Sequence, residues 1–375
     1  MRSCRHRELA LGLLLTLALA TVGVMAVAGP LNPPAGAVSP TYKTLTEVEP
    51  RIAINATNTP GGANSVYKIA QRGSYYLTGN ITVPTNSYAI EITASDVSID
   101  LNGFSVSTAT SSLSGIYSTG TNCTLRNGTV RGFGGNGLDL NVLAAKVEGV
   151  TVDSCGNVGI RVGPRSVVNK CTAQTNTLHG IYADAGSRIS DCTSSQNGIV
   201  GIYISSGGFA ENCVSYANTG DGFSTSDGAV IRDCTAYFNG GNGFGVSWGI
   251  TITGCTSHSN AGHGFSFGSH CDIENNSARS NGTSPSIVGA GFYSASGNTA
   301  STVRNNCARQ NEIGFKIDGA NTLLAGNSAS SNSTSNYQIV AGNRVAQIVL
   351  LTTNAAINGN SGGTVVSSPD ANFAF

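Results

Sequence analysis

Charge is what this chain has least of. Lysine and arginine together number 20 and aspartate and glutamate 20 in 375 residues, 11% against about 25% in an ordinary soluble domain. With a formal net charge of zero and no basic cluster after Arg7, the chain offers no electrostatic footprint for nucleic acid or an anionic membrane. Any partner is therefore neutral or only locally charged. Beyond the N-terminal leader no stretch has a helical apolar period, and no second apolar run approaches the length of a membrane span.

What is present begins with a leader. Arg2, Arg5 and Arg7 precede an apolar run from Leu9 that ends in Ala26-Val27-Ala28, the pattern of a secretory signal peptide cleaved after Ala28. This predicts a secreted or extracytoplasmic protein, free in solution or attached to the cell surface, with no membrane contact after cleavage. Residues 29–74 read as a Pro/Gly-rich tether and N-terminal cap. From "GSYYLTGNITV" onward, short β-branched and aromatic runs alternate with Gly, Asn and Ser turns, as in an all-β chain.

Those runs repeat. Cys171, Cys192, Cys213, Cys234 and Cys255 are each 21 residues apart, and the slot continues at the same spacing as Asn276 and then, after one longer rung, as Asn306 and Asn327. Five residues on stands Asn in eight rungs, from Asn176 to Asn332. A Gly followed by an apolar residue recurs from Gly159-Ile160 to Gly314-Phe315, and an apolar row from Val147 to Leu324 stands three residues before the Cys slot. A fixed period of this length marks a solenoid, whose units share one continuous core because none can bury its apolar face alone. Alternation of period two makes the pieces strands, and successive coils then lie about 4.8 Å apart. Like stacks on like: the Phe row becomes an internal aromatic ladder and the Asn row a ladder of amides.

Segments such as "ISDCTSSQNGIVGIYI", "VRNNCARQNEIGFKI" and "IDLNGFSV" resemble the secreted right-handed parallel β-helix proteins of the pectin lyase-like superfamily. The resemblance implies an all-β right-handed parallel β-helix with coils of about 21 residues over 75–345, and a C-terminal cap or tail over 346–375. That superfamily includes pectate and pectin lyases, polygalacturonases, phage tailspikes, adhesins and passive surface proteins, so the fold leaves function open. Its enzymes need either several carboxylates around calcium with a basic residue, or several acidic residues with Gly-His-Gly and Arg-Ile-Lys motifs. Here only Gly262-His263-Gly264 matches. No Asp-Asp pair, Asn-Thr-Asp or Arg-Ile-Lys occurs, although glycoside hydrolysis needs two cooperating carboxyl groups.

The Cys row points inward by alternation. Its Cα–Cβ bonds run parallel about 4.8 Å apart, wider than the roughly 3.8 Å between Cβ atoms of a disulfide, and a line of thiols cannot surround a tetrahedral ion. The row is expected to hold free thiols as apolar fillers, with no metal and no cofactor.

Two outer columns could carry chemistry. His179, Val200, Asp221, Asn242 and His263 each precede the repeated Gly, a position expected to be a tight turn that suits residues tolerant of unusual backbone angles. Three residues after the Cys slot stand Tyr216, Tyr237, His258, Arg279 and Arg309, predicted to form one outward strip able to bind a glycan through ring stacking and guanidinium contacts. The longer rung places "GTSPSIVGAG" as a loop between the two arginines, where solenoid insertions flank working faces. The same strip also fits a plain outward strand filled by β-favouring Tyr and soluble Arg. Scarce acid groups and an incomplete catalytic set favour a non-catalytic structural or glycan-binding protein. The alternative is a polysaccharide lyase or glycoside hydrolase acting on an acidic polysaccharide.

Overall fold

The computed structural model describes residues 49–84, 86–284, 288–350 and 370–375. The proposed signal peptide and the tether up to residue 48 lie outside these residues. Arg51–Phe375 forms one compact unit made of two parallel sheets, one of 13 strands with a single strand per coil and one of 26 with two strands per coil. We call them the narrow and the broad sheet.

The 21-residue period is the pairing register. Ile181 pairs with Ile202, Ile202 with Phe223 and Phe223 with Phe244 in the narrow sheet. In the broad sheet Ile231 pairs with Ile252 and Tyr216 with Tyr237. Most strands hold three residues in an in–out–in or out–in–out alternation, so each coil is built from pieces too short to stand alone. The corners between them are made by left-handed residues. Asp191, Asn212 and Asp233 before the Cys slot have φ of 54°, 51° and 52°, and Gly254 takes the same place at 69°. Asn, Asp and Gly suit that conformation because a short polar side chain, or none, relieves its steric cost.

The core is a set of columns. Phe223, Phe244, Phe265, Phe292 and Phe315 stack at centroid distances of 4.8–4.9 Å and are fully buried. Beside the glycines that precede them, the Asn column closes on itself. The backbone N–H of Asn197 and its Nδ2 both donate to Asn218 Oδ1, at 3.0 and 2.9 Å, and Nδ2 also donates to Ala173 O at 3.2 Å. Repetition of this pattern lets an amide column sit in the core without orphaned polar groups. The coil is thin at this point. A Cβ on Gly243 would collide with Ser257 Oγ and lie 2.7 Å from Gly264 O, which explains why Gly precedes each Phe of this column.

The thiols behave as expected. Cys171, Cys192, Cys213, Cys234 and Cys255 are buried and free, and Cys171, Cys192 and Cys213 each donate Sγ–H to the carbonyl two residues earlier at 3.1 Å.

Both ends extend beyond the regular repeat. Coiling starts before residue 75: Ile52–Ala53 pairs with Tyr75 and Tyr76, and Ser65–Ile69 pairs with Tyr88–Ile92. At the other end Asn372–Ala374 inserts between Ser328–Ser330 and Ile348–Leu350 and pairs with both. Asn372 Oδ1 accepts from Asn327 N and Nδ2 at 3.0 and 3.1 Å, closing the ladder that succeeds the Cys row. The proposed cap therefore places its last residues on the final coil, while residues 351–369 lie outside the described set.

Candidate functional site

The strip read from the sequence exists as a row. Tyr216, Tyr237, His258, Arg279 and Arg309 occupy successive strands of the broad sheet in direct register. Tyr216 and Tyr237 stack at 4.9 Å, and Tyr237 and His258 at 5.0 Å, with interplanar angles of 4° and 10°. These rings therefore cover one another's faces and turn mainly their edges to solvent. Burial, and then the Arg279 charge, hold the His258 imidazole below its usual pKa, so it is neutral near pH 7. Arg279 Nε donates to Gln310 Oε1 at 2.8 Å. Among the described residues no carboxylate pairs with Arg279 or Arg309, whereas Arg126 and Arg161 pair with Asp100 and Asp139.

Sequence reasoning missed Phe238. It packs edge-on against Tyr237 and His258 at 5.6 and 5.9 Å and is 63% exposed. Its φ is 54°, a costly conformation for a bulky side chain. The clue was its place just before the Asn ladder, a corner that is left-handed in every regular rung.

The column before the repeated Gly departs from expectation. His179, Asp221, Asn242 and His263 are absent from the left-handed residues, so tolerance of unusual backbone angles does not explain them. Three of them act instead as side-chain acceptors for the next coil. Asn242 N donates to Asp221 Oδ1 at 2.6 Å, His263 N to Asn242 Oδ1 at 2.9 Å, and Ala290 N to His263 Nδ1 at 3.0 Å. Asp, Asn and His share the position because each offers an acceptor at the same reach. Burial pushes the Asp221 carboxyl up, against the opposing effect of its bonds from Asn242. Burial, then the Lys316 charge, pushes His263 down to about 4. His179 Nδ1 is buried without a partner, and the ring packs 6.0 and 5.9 Å from Tyr182 and Tyr203.

These side chains border the outer face of the narrow sheet, where Arg161, Tyr182, Tyr203, Ser224, Gly245, Ser266 and Tyr293 follow in register. Tyr182 and Tyr203 stack at 4.8 Å, but the ladder then stops for three coils. It resumes at Tyr293, which stacks with His263 at 4.2 Å. A Cβ on Gly245 would collide with Asp221 Oδ2, so the carboxylate lies on the outer face above this glycine. No three His, Cys, Asp or Glu side chains among the described residues are placed to hold a metal ion.

The right handed beta helix region family matches residues 68–214, 144–277 and 208–329. The chain belongs to this family. No curated protein sequence matches it. Among solved structures, a double mutant of the tailspike protein of E. coli bacteriophage HK620 shares 10% identity at a TM-score of 0.53, covering 81% of this chain and 72% of its own. The Agl-KA catalytic domain shares 14% at a TM-score of 0.50, covering 79% and 62%. The mannuronan C-5 epimerase AlgE4 A-module of Azotobacter vinelandii shares 16% at 0.47, covering 81% and 87%. At these identities the likeness concerns fold. The family match confirms the right-handed β-helix expected from the sequence.

Proposed function

We propose that this protein is a non-catalytic, extracytoplasmic β-helix that binds an acidic polysaccharide along the row from Tyr216 to Arg309. The observation in its support is that Arg279 and Arg309 stand side by side, unpaired with carboxylate among the described residues, directly beyond a stack of three rings. Guanidinium groups clasp carboxylates or sulfates in a planar, two-pronged geometry, and coil spacing presents them as a regular array to a regular polymer. Phe238 adds the exposed apolar surface that the stacked rings lack. The leader ending at Ala28 supports export. A β-helix precedent is a single mutant of the HK620 tailspike, distinct from the double mutant above, solved in complex with a pentasaccharide.

Retention on immobilised acidic glycans tests this. The parent protein should be retained, added salt should weaken retention, and the Arg279→Ala/Arg309→Ala double variant should lose most of it. Equal retention of the folded double variant would reject the row.

A catalytic role has one observation in its favour: burial raises the Asp221 carboxyl above its ordinary pKa, the direction required of a proton donor to a leaving group. Incubation with uronic-acid and neutral glycans, followed by unsaturated-product absorbance and reducing ends, tests it. Product from the parent would replace binding with catalysis.

A further inference from the structure

We infer that the interrupted tyrosine ladder of the narrow sheet is a second binding site, a slot one sugar ring thick that takes a neutral, hydroxyl-rich pyranose between Tyr203 and Asp221. It lies on a different sheet from the arginine row and does not depend on it.

The slot follows from the stacking rule that builds the rest of the molecule. One face of the Tyr203 ring is covered by Tyr182 at 4.8 Å and 10°. The outward neighbour on the opposite side is Ser224, and the next is Gly245. Elsewhere an aromatic column places a ring about 4.8 Å above the last one, the distance set by the coil spacing. Above the Tyr203 ring the in-register outward position holds the hydroxymethyl group of Ser224 where the ladder would place another ring. The phenol is held in place, since Tyr203 OH and Ser226 Oγ are 2.8 Å apart. A flat ring can therefore occupy the vacant rung and stack on a fixed aromatic face, as sugars do on tyrosine.

The far side of the vacancy is polar. The Asp221 side chain reaches up one coil, its Oδ1 fixed by the backbone N–H of Asn242 and its Oδ2 above Gly245. The absence of a side chain at Gly245 gives the carboxylate its room. A carboxylate pre-positioned beside a serine hydroxyl accepts hydrogen bonds from neighbouring sugar hydroxyls, and charged acceptors make the stronger bonds. The sign of the charge selects the ligand. Arg161 lies two coils below Tyr203 and is paired with Asp139 at 3.9 Å, and Lys316 sits over Tyr293 at 5.3 Å beyond the other end. No cation among these faces the slot, so an acidic sugar would meet Asp221 with repulsion, the reverse of the arginine row.

Two variants isolate the slot. Ser224→Tyr fills the vacant rung with the ring that the ladder would otherwise hold, and the outward strand position tolerates it as Tyr203 does. Asp221→Asn keeps the acceptor for Asn242 and removes the charge. Calorimetric titration with neutral hexasaccharides of glucose, mannose and galactose should show binding of at least one to the parent and equally to the Arg279→Ala/Arg309→Ala variant. Ser224→Tyr should weaken that binding by more than tenfold and Asp221→Asn by about tenfold. Circular dichroism and melting temperature establish that each variant is folded; should Ser224→Tyr fail to fold, Asp221→Asn alone decides. Absence of binding to the parent by every hexasaccharide, or undiminished binding by the folded variants, overturns the inference.

Discussion

Asn218 gives two hydrogen bonds to one oxygen of Asn239, from its side-chain Nδ2 at 3.0 Å and from its backbone N–H at 3.1 Å. Each core amide is thus an acceptor for the coil below and a donor to the coil above. Replacing Asn239 by Ala leaves the Asn218 backbone N–H without its acceptor in a dry interior, while Nδ2 keeps Ser194 O and Ser215 Oγ. A buried unsatisfied group costs about 1–3 kcal/mol, so chemical denaturation should show a loss of at least about 1 kcal/mol. A loss within 0.5 kcal/mol would mean that water fills the gap.

An inward aromatic position should respond differently from an outward cation. Phe244→Ala opens a cavity in a fully buried stack and should cost about 3–5 kcal/mol. Arg279→Ala, at an exposed position, should stay within about 0.5 kcal/mol. Equal costs would contradict the alternation that turns one inward and the other outward.

The acceptor ladder predicts opposite pH effects at two of its residues. The Asp221 carboxyl is raised, so its stabilising contribution is complete below the ordinary carboxylate pKa near 4 and is lost as pH rises through the folded value. Asp221→Asn should therefore melt higher than the parent at pH 7, and the difference should vanish below about pH 4. A variant that melts lower at pH 7 would show that the charge is needed by the fold.

His263 runs the other way. Its folded pKa near 4 lies below the ordinary 6.5, so its contribution is complete above pH 6.5 and falls as pH drops towards 4. The loss over that window should be roughly 3 kcal/mol. His263→Asn keeps an acceptor for Ala290 N and should flatten the acid limb of the stability profile. A profile of unchanged slope would place the titration elsewhere.

The Cys row should react slowly while the chain is folded. Cys307 is partly exposed, and the eight other described thiols are buried. Burial also pushes Cys155 up to about 11, which lowers its thiolate fraction. A thiol reagent should modify Cys307 first and the buried set only after denaturation, without reductant. Rapid modification of Cys213 or Cys234 in folded protein would mean that the coils open readily.

The sequence showed the inward columns well because stacking demands the same residue type at each rung. Cys171 to Cys255, the Asn row and the Gly-Phe pairs all appear where their spacing put them. Outward positions carry no such demand, so Tyr182, Tyr203, Ser224 and Gly245 left no periodic mark and the broken ladder became visible only after the coils were stacked. The role of Asp221 was hidden for another reason: its side chain acts one coil away, at Asn242 and Gly245. The first coils were hidden by their unequal lengths, since Ile90 pairs with Ile116 and Leu138 with Ile160 at different spacings.

The Asn hydrogen bonds from each coil to the next also make the coil a unit of length for the whole protein. Removing Cys213–Asp233 would join Asn212 to Cys234 and set Cys192 beneath Cys234, Asn197 beneath Asn239 and Ile202 beneath Phe244, with each acceptor again above its donor. Removing one residue fewer would turn inward side chains outward along the next strand. Such a chain can grow or shrink in whole coils without a new core being devised, and the spacing of its outer groups can be matched to a repeating polymer by counting rungs.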